Sequence, residues 1–252
     1  MSRMDWRTAG ALLLAGVLAY ALGLPYTFSL APFREGQVVL LLLAVVQGAI
    51  FLAVAILIGQ YFGHPIGLGA PVVSDAVRGA PVADRIRSLA PLALGSGAAV
   101  GMALLAIDVG LVLLRGDPLA VAALPPLWTR VLVTAYGGVV EEILLRYGVM
   151  TLFVWIAWRV AGRPDALPSI GVWVAIVLSS VAFGLGHLPI AAAAGATITP
   201  YLLARTILLN GVAGIVFGWL YWRRGLLAAM LSHFTADVVL HVIGLTILAA
   251  VL

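Results

Sequence analysis

The sequence predicts an all-α polytopic membrane helix bundle of about seven to eight transmembrane helices, and three observations predict it. Of 252 residues, 63% are hydrophobic and only 10% are charged, whereas a soluble domain carries about 25% charged residues. Apolar runs long enough to cross a hydrocarbon core of about 30 Å recur between arginines, prolines and glycines. The mean hydropathy of +1.16 leaves no polar surface with which a water-soluble fold of this size could cover itself. No polar linker divides the chain, so residues 1–252 read as a single integral-membrane domain.

The first span covers residues 7–24. Its Ala19-Tyr20-Ala21 resembles a signal-peptide cleavage site, but removing the segment would invert the charge pattern described below, so it reads as a retained span. The second covers 38–61. Residues 63–87, with Asp75, Arg78, Asp84, Arg85 and Arg87, read as a solvated loop with an interfacial turn of helix. The third span is 89–114 and contains Asp108. The fourth region runs from 127 to about 160, longer than the bilayer core needs, so it is tilted or breaks near Gly148 into a span and a surface helix. The fifth span is 168–188, the sixth 201–222, and the last starts at Leu226, counting as two if it divides near Gly244.

The net charge of +4 comes from arginine alone. With a cytoplasmic N-terminus, inside segments hold Arg3, Arg7, Arg78, Arg85, Arg87, Arg159, Arg163, Arg223 and Arg224. Outside segments hold Arg34, Arg115, Arg130 and Arg205. This asymmetry obeys the positive-inside rule. The arginines are scattered rather than clustered, which excludes a nucleic-acid partner and leaves the lipid bilayer as the surrounding phase. Cysteine is absent, which excludes disulfides, thiolate metal sites and cysteine nucleophiles.

Ionised groups inside spans cost about 2.5–3.5 kcal/mol each on insertion scales, so each needs a reason. Glu141 and Glu142 are adjacent, and Arg146 follows four residues after the second. Residues four apart share a helix face, so Glu142 and Arg146 form an expected intrahelical ion pair. Glu141 projects about 100° away. It is either a general base or a stray carboxylate satisfied by Thr134 or Tyr136. Phe183 and His187 share a face of the fifth span beside small residues Ser179, Ser180, Gly184 and Gly186. His233 and Asp237 share a face of the last span, and His241 continues that stripe. An aspartate four residues from a histidine can orient the imidazole, complete a metal site or help bind an oxyanion.

The set Glu141-Glu142-x-x-x-Arg146, Phe183-x-x-x-His187 and His233-x-x-x-Asp237 resembles the CAAX prenyl protease and bacteriocin-processing family of intramembrane endopeptidases. The resemblance covers residues 127–242, the protease-like core. It implies Glu141 as the catalytic glutamate and His187 as its partner in activating water. It further implies His233 and Asp237 at the oxyanion, Glu142 and Arg146 as a structural pair, and Phe183 as a packing residue. The implied substrate is a peptide or membrane protein, processed in CAAX-type or bacteriocin-like fashion, in a bacterial or archaeal plasma membrane. No cofactor is expected. Zinc held by His187, His233 and Glu141 is the alternative, although no H-E-x-x-H helix is present. Asp237 stands where asparagine is common in the family, and an ionised carboxylate cannot donate to an oxyanion. Two other classes compete: a proton-coupled carrier using Asp108, Glu141, His187 and His233 as a relay, and a catalytically weak scaffold or immunity protein.

One geometric strain is visible in advance. His187 follows Pro168 by about 19 residues and His233 follows Gly225 by about 8, although both loops lie on the same side. At 1.5 Å per residue the depths differ by about 15 Å. A surface start to the fifth span, tilt, or a recessed turn at Arg224-Gly225 is the expected remedy.

Overall fold

In the computed structural model, which describes residues 4–30, 38–115 and 124–251, every long element is helical and no strand occurs among the described residues. Arg3 and Arg34 of the charge count lie outside the described residues. The elements are α1 (Trp6–Leu30), α2 (Val38–Gly63), a 3-10 turn (His64–Ile66), α3 (Pro71–Val77) and α4 (Ala83–Arg115). Next come α5 (Leu127–Ala135), two π-helical segments (Tyr136–Glu141 and Ile143–Met150) and α6 (Thr151–Val160). The chain ends with α7 (Ser169–Gly186), α8 (Leu188–Ala193), α9 (Pro200–Arg224), α10 (Leu226–Asp237), a third π-helical segment (Val238–Gly244) and α11 (Leu245–Val251). Six helical runs among the described residues are long and apolar enough to cross a membrane. The run 127–160 adds a further continuous right-handed helical stretch, divided only by its π-helical turns.

Several expectations change. Helix α1 extends to Leu30 and carries Pro25 within it. Gly148 does not break the fourth region. A Cβ there would overlap Ala55 of α2, so the glycine allows a close helix crossing. The last run does not divide at Gly244, where the missing side chain makes room for Leu105. Region 63–87 is not simply solvated. Ile66, Leu68, Ala70 and Val72 are buried, and the Leu226 N–H donates to the Gly69 carbonyl at 3.1 Å. Asp5 ties this segment to the start of α1. It accepts from the Thr8 hydroxyl at 2.7 Å, from Arg78 at 2.7 Å and from Ser74 at 3.2 Å.

Helix α10, which carries His233, is the packed centre. Its residues Ala228, Ala229, Ser232 and Ala236 are almost fully buried. On one side Gly97 and Gly101 of α4 meet the Ser232 and Ala236 carbonyls, where a Cβ would collide with backbone. On the other side α9 pairs antiparallel with α7, Gly214 lying on Ser180 and Gly218 on Ile176. Lipid is as apolar as leucine, so close approach of small residues, not hydrophobic burial, holds such helices together.

Candidate active site

Glu141, His187, His233 and Asp237 come together from three separate helical runs on the wall of a cavity of about 910 Å³. Its size falls within the usual range of ligand pockets. Apolar residues of α1, α2, α4, α7 and α9 line most of it, and His241, Asp108 and Asn210 also face it.

Glu141 is the hub. One carboxylate oxygen stands 3.7 Å from His187 Nε2 and the other 3.6 Å from His233 Nε2. Of the two polar neighbours that could have satisfied it, Thr134 is engaged elsewhere, while Tyr136 lines the same cavity. The Thr134 hydroxyl donates to the Val131 carbonyl at 2.7 Å, and the Tyr136 ring packs 5.8 Å from that of Tyr20.

Each imidazole is held by its other nitrogen. His187 Nδ1 lies 2.9 Å from the Phe183 carbonyl. A carbonyl only accepts, so Nδ1 carries the proton and Nε2 faces Glu141. His233 Nδ1 lies 2.8 Å from Glu142 Oε1 and donates to that carboxylate, which turns its Nε2 toward Glu141 and toward Asp237 Oδ1 at 3.7 Å. The Phe217 ring stacks on His233 at 4.5 Å and 20°, fixing the ring plane. Phe183 meets both imidazoles edge-on, at 4.9 Å from His187 and 5.5 Å from His233.

The expected Glu142–Arg146 pair is present, but it is looser than an intrahelical fork. Arg146 Nε stands 3.4 Å from Glu142 Oε2, and both side chains are completely buried. Arg146 Nη2 donates to the Gly214 carbonyl at 3.3 Å, and the guanidinium lies over the Phe183 and Phe217 rings. The cation therefore braces the two phenylalanines that grip the histidines. Glu142 is more than Arg146's counter-ion, because it is also the residue that orients His233.

The two histidines reach one carboxylate despite their different distances from the neighbouring turns. The pairs Gly218 on Ile176 and Trp222 beside Trp173 put the α9–α10 turn level with the start of α7. The His187 ring turns back against its own helix, with Nδ1 2.9 Å from the Phe183 carbonyl. Glu141 then spans the remaining gap, one oxygen toward each ring.

Two features escaped sequence reasoning. The Glu142–His233 bond joins residues 91 apart and leaves no periodic trace. The Asp108–Arg205 ion pair, at 2.5 Å, did have a signal: two lone ionised groups in neighbouring apolar spans ought to find each other. His187, His233 and Glu141 offer the donor types for zinc. Among the described residues, no group of three or more His, Asp or Glu side chains is found with metal-holding geometry.

No curated protein and no solved structure matches the chain. Residues 123–239, which include Glu141, His187, His233 and Asp237, match a family model described as type II CAAX prenyl endopeptidase Rce1-like. Residues 123–239 are thus similar to an Rce1-like domain, and they lie among membrane-length helices.

Proposed function

We propose that the chain hydrolyses a peptide bond within the membrane, with Glu141 and His187 activating water and His233 with Asp237 stabilising the tetrahedral intermediate. The observation that carries this reading is the placement of Glu141 between two Nε2 atoms, each too far for a direct hydrogen bond and well spaced for a bridging oxygen. A water oxygen attacks the scissile carbonyl, and its proton passes to Glu141. When the carbon–nitrogen bond breaks, that proton goes to the leaving amine. His233 Nδ1–H is committed to Glu142, so the ring donates to an oxyanion only as imidazolium, with Glu142, Glu141 and Asp237 as its surrounding carboxylates. The helices exclude bulk water and strengthen these interactions.

The cavity suits an apolar chain attached to the substrate, and the family description points to a prenylated C-terminal peptide as the first probe. The arginine asymmetry supports a cytoplasmic N-terminus. The carrier reading is weaker, because Asp108 is already paired with Arg205 and so is not a free member of a proton relay. The test is cleavage of a farnesylated peptide ending in Cys-aliphatic-aliphatic-Xaa by the purified protein, with and without EDTA. Release of the C-terminal tripeptide, unaffected by EDTA and lost in Glu141→Gln, is the expected result. Loss on chelation alone would move the chemistry to a metal, and proton-driven solute uptake into liposomes without cleavage would favour the carrier.

A further inference from the structure

The centre contains a histidine that this mechanism does not use. His241 lies on the cavity wall in the π-helical segment Val238–Gly244, four residues beyond Asp237. Its Nε2 stands 4.0 Å from Asp237 Oδ1, the same oxygen that faces His233 Nε2 at 3.7 Å. Asp237 is therefore bracketed by two imidazoles. The other nitrogen of His241, Nδ1, is buried and has no hydrogen-bond partner among the described residues. A neutral imidazole carries one proton, and Nε2, which faces the cavity and the Asp237 carboxylate at 4.0 Å, is the nitrogen whose surroundings favour the N–H. The ring is held in place. The Tyr26 ring packs against it at 5.9 Å, and Arg130 donates to the His241 carbonyl at 3.0 Å, fixing the turn that bears it. Widened π-helical turns of this kind often mark functional positions.

An ionised carboxylate has four acceptor sites and no donor. Asp237 in that form contributes nothing directly to an oxyanion, yet its charge lies beside a donor that does. Resting on the endopeptidase reading above, we infer that His241 is a third imidazole of the reaction centre, whose Nε2–H, near the Asp237 carboxylate but not bonded to it at 4.0 Å, is free to donate to the tetrahedral oxyanion. Asp237 and His241 act as one unit: the carboxylate's charge favours the N–H on the Nε2 side of the ring, and the imidazole supplies that N–H to the oxyanion. An amide at position 237 would carry donor and acceptor together and would make His241 less necessary.

A double-mutant cycle on farnesylated-peptide cleavage tests this, with thermal melting in detergent as the folding control. His241→Leu lowers kcat by roughly 10²-fold, the usual effect of removing one oxyanion donor, with little change in KM. Asp237→Asn added to His241→Leu restores at least about ten-fold of that loss, because the amide N–H takes over donation. A wild-type rate in His241→Leu, or a double variant no faster than the single one, overturns the proposal. If His241→Leu does not fold, His241→Gln replaces it. Its amide N–H reaches about as far, so it stays active, and loss as complete as in Glu141→Gln overturns the proposal. Cleavage by Glu141→Gln at the wild-type rate would sink the endopeptidase reading itself, whereas loss in Glu141→Gln with no effect at His241 sinks this inference alone.

Discussion

Glu142 answers to two partners at once, the Arg146 guanidinium in its own helix and the His233 imidazole in α10. The first was legible from an i, i+4 spacing, and the second was not, since chain separation hides it. The consequence is that Glu142 and Arg146 can be tested by stability and Glu141 by chemistry. Both members of the buried pair are fully enclosed. Removing either one alone strands the other, at a cost of about 3–5 kcal/mol. Arg146→Met and Glu142→Met should therefore each lower the thermal midpoint strongly. The double variant should lose less than the sum of the two, as read by melting curves in one detergent. Strict additivity would show that the two charges do not stabilise each other. Glu141→Gln, on the cavity wall, should leave the midpoint close to wild type.

At the scale of elements, α10 is positioned by glycines. Gly97 faces the Ser232 carbonyl, one residue before His233, while Gly95 on the same helix has open space around its Cα. Gly97→Ala forces backbone apart and should cost about 1–3 kcal/mol, with a parallel loss of cleavage because His233 moves with α10. Gly95→Ala should be neutral or stabilising by up to about 1 kcal/mol, through helix propensity alone. Equal effects of the two substitutions on melting would contradict this account of the α4–α10 crossing. The sequence showed the apolar spans and the small-residue stripes, because both are local patterns. It did not show the three π-helical segments, which follow no hydrophobic period, nor that Gly148 is a crossing point rather than a break. For His187, counting rise per residue locates the Cα and not the ring, which turns back to the Phe183 carbonyl.

The whole molecule joins a polar face, formed by residues 63–87 and the start of α1, to a cavity deep among the helices. Asp5 fastens that face. Its carboxyl is held below the ordinary aspartate range chiefly by the Thr8 hydroxyl, helped by Ser74 and Arg78. A depressed carboxyl stabilises the fold above its unfolded value of about 3.9, and that contribution disappears as pH falls below it. Wild type should thus melt above Asp5→Asn at neutral pH, and the difference should shrink on acidification below about pH 4. A difference that is constant with pH would show that the carboxylate is not what holds the segment. Topology has an equally direct check, because the natural chain lacks cysteine. Asp165→Cys should react with a membrane-impermeant maleimide only from the cytoplasmic side, and labelling from outside would reverse the orientation. The measurement closest to the central claim is the single-turnover rate at which purified protein in nanodiscs cleaves the farnesylated peptide, wild type against Glu141→Gln. A carboxylate acting as the base between His187 and His233 predicts a fall of roughly 10²–10⁴-fold with an unchanged thermal midpoint. An undiminished rate in Glu141→Gln would contradict it.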